Sequence, residues 1–183
     1  MAACIALLRG INVGRAKRVA MADLRTLIEE LGYTKVRTLL NSGNAVFQAD
    51  RPNVNTIASD IEAAIQRRFD FSAAVVVLTA TSLNTIIREN PLLNVVTEPA
   101  RHLVAFVSEA SVLDKMEPIL ARNWEPEVVA RGTQAAYLWC PDGIIESRLA
   151  QAFTRLVGEA ATTRNWSTVL KLQSLADGDQ SFT

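Results

Sequence analysis

The segment Arg9 to Arg18, RGINVGRAKR, has the residue types best suited to binding an anion. It contains four basic residues, no acidic residue and two glycines, Gly10 and Gly14, directly after an apolar run. Backbone amides beside glycines form concave anion sites, and the N-terminus of a following helix adds a partial positive charge. Arg9, Gly10, Asn12 and Gly14 are therefore candidate ligand-binding residues. The alternative is a tight strand-to-helix turn with solvated charges, because glycine accepts positive φ angles.

A second polar cluster, residues 41–44 with the sequence NSGN, lies between two apolar segments. Such a sequence is typical of a hairpin turn, since Asn, Ser and Gly adopt turn conformations readily. The cluster nevertheless offers more side-chain hydrogen-bonding groups than a turn needs. Ser42, Gly43 and Asn44 are therefore candidates for ligand binding, and a purely structural role remains the alternative.

A third cluster, TTRNW, occupies residues 162–166 near the end of the chain. We interpret a threonine as the N-cap of the final helix and place Arg164 and Asn165 in its first turn. The helix dipole disfavours a cation at that end, so an anionic partner is needed to hold Arg164 there. That partner is either a ligand or a carboxylate of the chain, such as Glu159 or Asp60. We expect this segment to fold back against the N-terminal half and to complete one site with the first two clusters.

Composition argues against several classes of function. The 19 Lys and Arg residues balance 19 Asp and Glu residues, and this zero net charge argues against a nucleic-acid partner. Two distant cysteines, Cys4 and Cys140, and the single His102 do not make a metal site. No nucleophile elbow or zinc motif occurs, so no catalytic residue is assigned. We expect no metal, and the sequence does not identify a cofactor or an oligomeric state.

The N-terminal apolar run, Ala2 to Leu8, lacks a preceding basic region and ends at Arg9. It therefore does not fit a signal peptide. No stretch approaches the roughly 20 apolar residues of a membrane helix. We expect a cytoplasmic protein without membrane association.

Apolar periodicity predicts the order strand, helix, strand, strand, helix, strand for residues 1–80. The two helices contain apolar residues at spacings of three and four, in 24–31 and 57–65. This order is the ferredoxin-like (βαββαβ) arrangement. The predicted strands cover 3–9, 35–40, 45–49 and 73–79.

Residues 81–100 are predicted to be a connection with one short helix, capped by Thr81 or Ser82. A second, smaller α/β subdomain with C-terminal helices is predicted for 101–183, so the fold class is α+β. Its predicted elements are a strand at 102–108, a helix capped by Ser111, a hairpin of 127–131 and 135–140, and a long helix with Asp142 as N-cap.

The three polar clusters lie within segments that resemble a known bacterial family. LLRGINVG, followed by VAMADLRTLIEELGYTKVRTLLNSGNAVF, is similar to the signature of the family called domain of unknown function 1697. TTRNWSTVLKL is similar to its closing motif, and the resemblance extends from Leu7 to Leu172. The chain departs from the family pattern at 15–18. The resemblance implies a two-part α+β architecture with a distorted ferredoxin-like half in a cytoplasmic protein, and it implies no activity, cofactor or catalytic residue.

The function that these clusters favour is binding of a small anionic ligand, with a phosphate or carboxylate group, at the junction of the two subdomains. One alternative is an enzyme that acts on a phosphorylated or nucleotide-like metabolite. The other is an RNA-binding protein, which would need aromatic residues on the central strands of its sheet. The predicted first strand has none, and the third has only Phe47.

Overall fold

The computed structural model describes residues 1–178 of the chain. Within them the fold is mixed α+β, with two four-stranded antiparallel sheets and six α-helices. The chain divides into two compact units. The first unit consists of Met1–Leu83 and the segment that begins at Leu172, and the second unit is Asn84–Lys171. The division of the chain into 1–80, 81–100 and 101–183 stays a prediction. The last five residues, 179–183, lie outside the described residues.

The first unit contains four strands and two complete helices. Its sheet has the order β2-β3-β1-β4, and β1 pairs antiparallel with both neighbours, Cys4 opposite Phe47 and Ile5 opposite Leu78. The elements are β1 (Ala2–Leu8), α1 (Met21–Glu30), β2 (Thr34–Leu39), β3 (Asn44–Ala49), α2 (Val54–Phe69) and β4 (Val75–Thr79).

Helices α1 and α2 form where the apolar spacing predicts them, and both bury their apolar stripe in one core with the sheet. Asn53 caps α2, because its side chain accepts hydrogen bonds from the amides of Asn55 and Thr56, both at 3.2 Å. Gly32, with φ of +90°, follows the end of α1 as a left-handed glycine does at a helix C-terminus.

The second unit contains the other sheet, whose order is β6-β7-β5-β8. Leu103, Leu138 and Phe153 are among the buried residues that join this sheet to its helices. The remaining elements are α3 (Ala80–Arg88), β5 (His102–Val107), α4 (Glu117–Leu120), β6 (Val128–Arg131), β7 (Ala135–Trp139), α5 (Arg148–Val157), β8 (Ala161–Asn165) and α6 (Trp166–Ala176). The division between the units falls within α3 and α6.

Three predicted helix caps in this half are wrong. The amide of Ser82 donates to the Oγ1 of Thr79 at 3.1 Å, so the first turn of α3 is capped one residue before the helix begins. Ser111 lies inside a 3-10 helix, Ala110–Met116, rather than at a helix start. The N-cap of α5 is Ser147, whose side chain accepts from the amide of Ala150 at 2.9 Å, and not Asp142.

Candidate anion-binding site

The basic loop, residues 9–18, connects β1 to α1 and has an unusual backbone. Four of its residues have positive φ: Gly10 at +69°, Asn12 at +57°, Gly14 at +63° and Lys17 at +52°. Left-handed residues interspersed among other conformations turn successive amides toward one side, which is the geometry of an anion-binding nest. Two of the four positions are the glycines, which adopt positive φ without a steric penalty.

The side chain of Asn12 fixes the path of this loop. Its Nδ2 donates to the carbonyl oxygens of Val19 and Asn41, both at 2.8 Å, and its Oδ1 accepts from the amide of Val19 at 2.9 Å. The backbone amide of Asn12 donates to the carbonyl of Lys17 at 3.0 Å. The polar side chain of Asn12 is therefore committed to structure, and only its backbone conformation serves the candidate site.

The turn at 41–44 packs directly against the start of the basic loop. Gly43 has φ of +84°, and a Cβ atom there would lie 2.8 Å from both Ile11 Cδ1 and Leu8 Cβ. The carbonyl oxygen of Gly43 also accepts from the amide of Leu8 at 2.8 Å. The first two polar clusters of the sequence are thus neighbours, and glycine is required at this contact for both its conformation and its size.

Asn44 is fully buried and opens strand β3, opposite Leu39. Its Nδ2 donates to the Leu39 carbonyl at 2.7 Å and to Ser42 Oγ at 3.0 Å. Asn44 therefore closes the turn from inside, whereas Ser42 lies at the exposed surface. Of the three candidates in this cluster, Ser42, Gly43 and Asn44, only Ser42 has a side chain that is accessible to a ligand.

Positive charge on the basic loop is exposed. Arg15, Lys17 and Arg18 are exposed and Arg9 is half-buried. Lys17 Nζ donates to the carbonyl of Ser72 at 3.0 Å, which directs it along the surface of the first unit. Because no acidic residue lies in 9–18, these cations are not balanced within the loop itself.

The third cluster has a different structure from the one predicted. Residues 161–165 form strand β8 rather than the start of a helix, and Arg164 is only 8% exposed. Its Nη1 donates to Thr162 Oγ1 at 2.9 Å and to the Thr163 carbonyl at 2.8 Å. Burial lowers the pKa of Arg164 to about 10, because desolvation disfavours its charged form.

Asn165, and not a threonine as the sequence predicts, caps the final helix. Its Oδ1 accepts from the amide of Thr168 at 2.9 Å, and α6 begins at Trp166. Asn165 and Arg164 belong to the second unit, whereas the basic loop belongs to the first. Their participation in one site with the first two clusters stays a prediction.

The second unit contains a buried polar pair that the sequence does not predict. Asn90 Nδ2 lies 2.7 Å from His102 Nε2, and His102 Nδ1 lies 3.0 Å from the Leu138 carbonyl. Because a carbonyl can only accept, Nδ1 carries the proton and Nε2 accepts from Asn90. Burial lowers the pKa of His102, opposed by the bond to Leu138, so the ring is held neutral. The only sequence signal for Asn90 was its position before Pro91, which indicated merely a helix end.

The described residues contain no group of three or more His, Cys, Asp or Glu side chains placed to hold a metal ion. Cys4 and Cys140 are buried free thiols. No helix within residues 1–178 has the length and apolar character needed to cross a membrane.

Comparison with known proteins identifies relatives but no activity. The family model described as "Protein of unknown function (DUF1697)" matches residues 1–137. A solved structure of the conserved bacterial protein SP0830 from Streptococcus pneumoniae is similar, with a TM-score of 0.80 and 21% sequence identity. The alignment covers 96% of this chain and 98% of that one. At this identity the likeness shows the fold alone. No match was found among curated proteins.

Proposed function

Since the chain belongs to the DUF1697 family, whose description gives no function, we propose one from the geometry of the basic loop. The protein is a binding module for a small anionic ligand that carries a phosphate or carboxylate group. The ligand binds at the surface formed by the basic loop and the turn at 41–44.

The observation that carries this proposal is a set of exposed backbone amides. Gly10, Val13 and Gly14 are exposed, and within residues 1–178 their amides donate no hydrogen bond to the chain. Exposed amides near positive side chains are the groups that phosphate-binding loops use. Gly10 and Gly14 lack a side chain, so a ligand can approach their backbone closely.

The loop is also held in shape before any ligand arrives. Asn12 makes three side-chain hydrogen bonds, two of them across the loop to Val19 and one to the turn. A fixed loop loses less conformational entropy on binding than a mobile one, so more of the interaction energy is expressed as affinity. Arg15 and Arg18 attract an anion at long range, and each guanidinium group can donate two hydrogen bonds to the oxygen atoms of a phosphate or carboxylate.

The proposal includes three more specific expectations, on the fold of the first unit, the cellular location and the extent of the site. The strand order β2-β3-β1-β4, with α1 and α2 in one core, supports a ferredoxin-like arrangement for the first unit. Two reduced, buried cysteines support a cytoplasmic location. The participation of Arg164 and Asn165 in anion binding is the third expectation.

The enzyme and RNA-binding hypotheses remain alternatives that the same ligand experiments separate. Turnover of a bound phosphorylated compound favours the enzyme. His102 is an unsuitable general base, because it is fully buried and both ring nitrogens are bonded. Binding of single-stranded RNA at near-physiological salt, in preference to small anions, favours the RNA-binding protein.

The test compares two double variants that remove the same charge. The loop variant carries Arg15→Gln and Arg18→Gln, and the control variant carries Arg51→Gln and Arg67→Gln, all four positions being exposed. Wild type and both variants are titrated calorimetrically with inorganic phosphate, AMP and citrate. We expect the affinity of the loop variant to fall by about 10-fold or more, as for the loss of charge-assisted hydrogen bonds.

The control variant should bind as the wild type does. Absence of binding by the wild type to all three anions at millimolar concentration would reject the proposal. Equal affinities for the loop and control variants would reject the basic loop as the site.

A further inference from the structure

A second group of arginines lines a cleft in the second unit, far along the chain from the basic loop. Arg148, Gln151 and Arg155 follow one face of α5 at spacings of three and four residues. Arg122 and Trp124 come from the segment after α4. The cleft has a volume of about 390 Å³. We call it the arginine cleft, and its lining residues are Arg122, Trp124, Arg148, Gln151, Ala152 and Arg155.

Two of the three guanidinium groups are held in place by the protein. Trp124 is buried and its Nε1 donates to the Ile119 carbonyl at 2.8 Å, which fixes the indole ring. The guanidinium carbon of Arg122 lies 4.4 Å from the centroid of that ring, a cation–π distance. Arg155 Nε donates to the carbonyl of Gln151 at 3.3 Å. The bond of Arg155 uses its Nε and not its terminal nitrogens.

The three arginines of the cleft have no carboxylate of residues 1–178 paired directly with them. Among the described residues, none of the three arginines forms an ion pair with a carboxylate. Glu127 comes near the start of α5, but its Oε2 accepts from the amide of Leu149 at 3.1 Å. Arg148 is the first residue of α5, where the helix dipole disfavours a cation. Three cations without a direct ion pair around one concave surface favour an anionic ligand.

We propose that the arginine cleft binds the diphosphate group of a small molecule. Two phosphoryl groups bring a charge of about −3 at neutral pH, which matches three guanidinium groups. Arginine forks suit the paired oxygens of phosphate. The cleft volume is at the lower end of the range for small-molecule sites, about 300–1,000 Å³. This site shares no residue with the basic loop and does not depend on the proposed function.

A nucleic-acid strand fits these residues less well. Trp124 is 4% exposed and Arg122 lies over its ring, so no base can stack on it. The zero net charge of the chain also lacks the surplus that backbone binding requires.

The experiment uses the full chain and a third double variant. The cleft variant carries Arg148→Gln and Arg155→Gln, and it removes the same charge as the loop and control variants. All four proteins are titrated calorimetrically with inorganic pyrophosphate and with ADP, and their thermal midpoints are measured with and without each. The cleft variant should bind both compounds about 100-fold more weakly than the wild type, at about 10-fold per arginine. Its thermal midpoint without ligand should equal or exceed that of the wild type, which shows that it folds.

The outcomes separate the two sites. If only the cleft variant loses pyrophosphate binding, the result supports the arginine cleft as the diphosphate site. This conclusion holds whether or not inorganic phosphate binds to the basic loop. Loss in the loop variant with full binding in the cleft variant overturns the cleft proposal and leaves the proposed function intact. No binding of either compound to the wild type at millimolar concentration also overturns it, as does cleft-dependent binding of a single-stranded oligonucleotide without binding of pyrophosphate.

Discussion

The basic loop and strand β8 share some residue types but lie in opposite environments. Both follow a helix or strand closely, and both contain arginine, asparagine and small residues. In the basic loop, four positive φ angles keep residues 13–18 at the surface. In β8, the extended backbone buries Arg164 beside Thr162. Composition therefore marks a polar cluster as unusual, whereas the backbone decides whether its charges face a ligand or the interior.

Among the variants that test this comparison, Gly43→Val should cause the largest loss of stability. Valine at positive φ costs about 1–3 kcal/mol in backbone strain. Its side chain also clashes with Leu8 and Ile11, which costs about 1–3 kcal/mol more. We expect the free energy of unfolding to fall by roughly 3–5 kcal/mol, measured by chemical denaturation. Gly14→Val is the matched control, because its φ is +63° but no atom lies within 4 Å of a Cβ there. Equal losses in the two variants would mean that the turn does not pack on the loop as described.

Asn12→Ala should have the next largest effect. It removes three side-chain hydrogen bonds, at about 1 kcal/mol each, and places alanine at positive φ. We expect a loss of roughly 2–4 kcal/mol in the free energy of unfolding. Anion affinity should fall as well, because the loop loses its fixed shape. A stable Asn12→Ala protein with wild-type affinity would show that the loop does not need this anchor.

The buried, neutral state of His102 in the second unit can be tested by the pH dependence of protein stability. Its pKa is lowered in the folded protein, so near pH 6 the unfolded chain binds more protons than the folded one. Stability should therefore be constant above pH 7 and fall as pH decreases below 6.5, with a slope of at most about 1.4 kcal/mol per pH unit. His102→Gln should remove this slope, since the chain has one histidine. A flat wild-type profile between pH 7 and 5.5 would contradict the buried, neutral ring.

Ser42→Ala should have the smallest effect on stability. Its hydroxyl accepts one hydrogen bond from Asn44, and the residue is exposed. We expect a loss of about 0.5–1.5 kcal/mol in chemical denaturation, the range for one hydrogen bond. A loss as large as that of Gly43→Val would mean that Ser42 holds the turn, and its candidacy as a ligand contact would lose its support.

The sequence predicted the regular elements of the first unit because their signals are local. Apolar residues at helical spacing placed α1 and α2, and NSGN placed the turn before β3. Residues 162–165 are predicted as a helix start but form a strand, and this difference has a physical reason. Thr162 and Thr163 are β-branched and favour a strand, but a threonine before a helix is also a common N-cap. Pairing with β5 decides between them, and that contact is distant in sequence.

The candidate site was predictable in part. The positive charge and glycines of the basic loop are visible in the sequence. The anchoring role of Asn12 depends on Val19 and Asn41, which are 7 and 29 residues away, and that of Asn44 depends partly on Leu39, 5 residues away. The arginine cleft was not recognised, because its members come from two elements. Arg122 approaches α5 only through the position of Trp124 in the core.

The most direct measurement of the central claim is a nuclear magnetic resonance titration of the uniformly nitrogen-15-labelled protein with inorganic phosphate. An amide that binds an anion changes its chemical shift, so the site is located without a mutation. We expect the largest shift changes at Gly10, Val13 and Gly14, and all three should saturate with one dissociation constant. Saturable changes confined to residues outside 9–18 and 41–44, or none at millimolar phosphate, would contradict it.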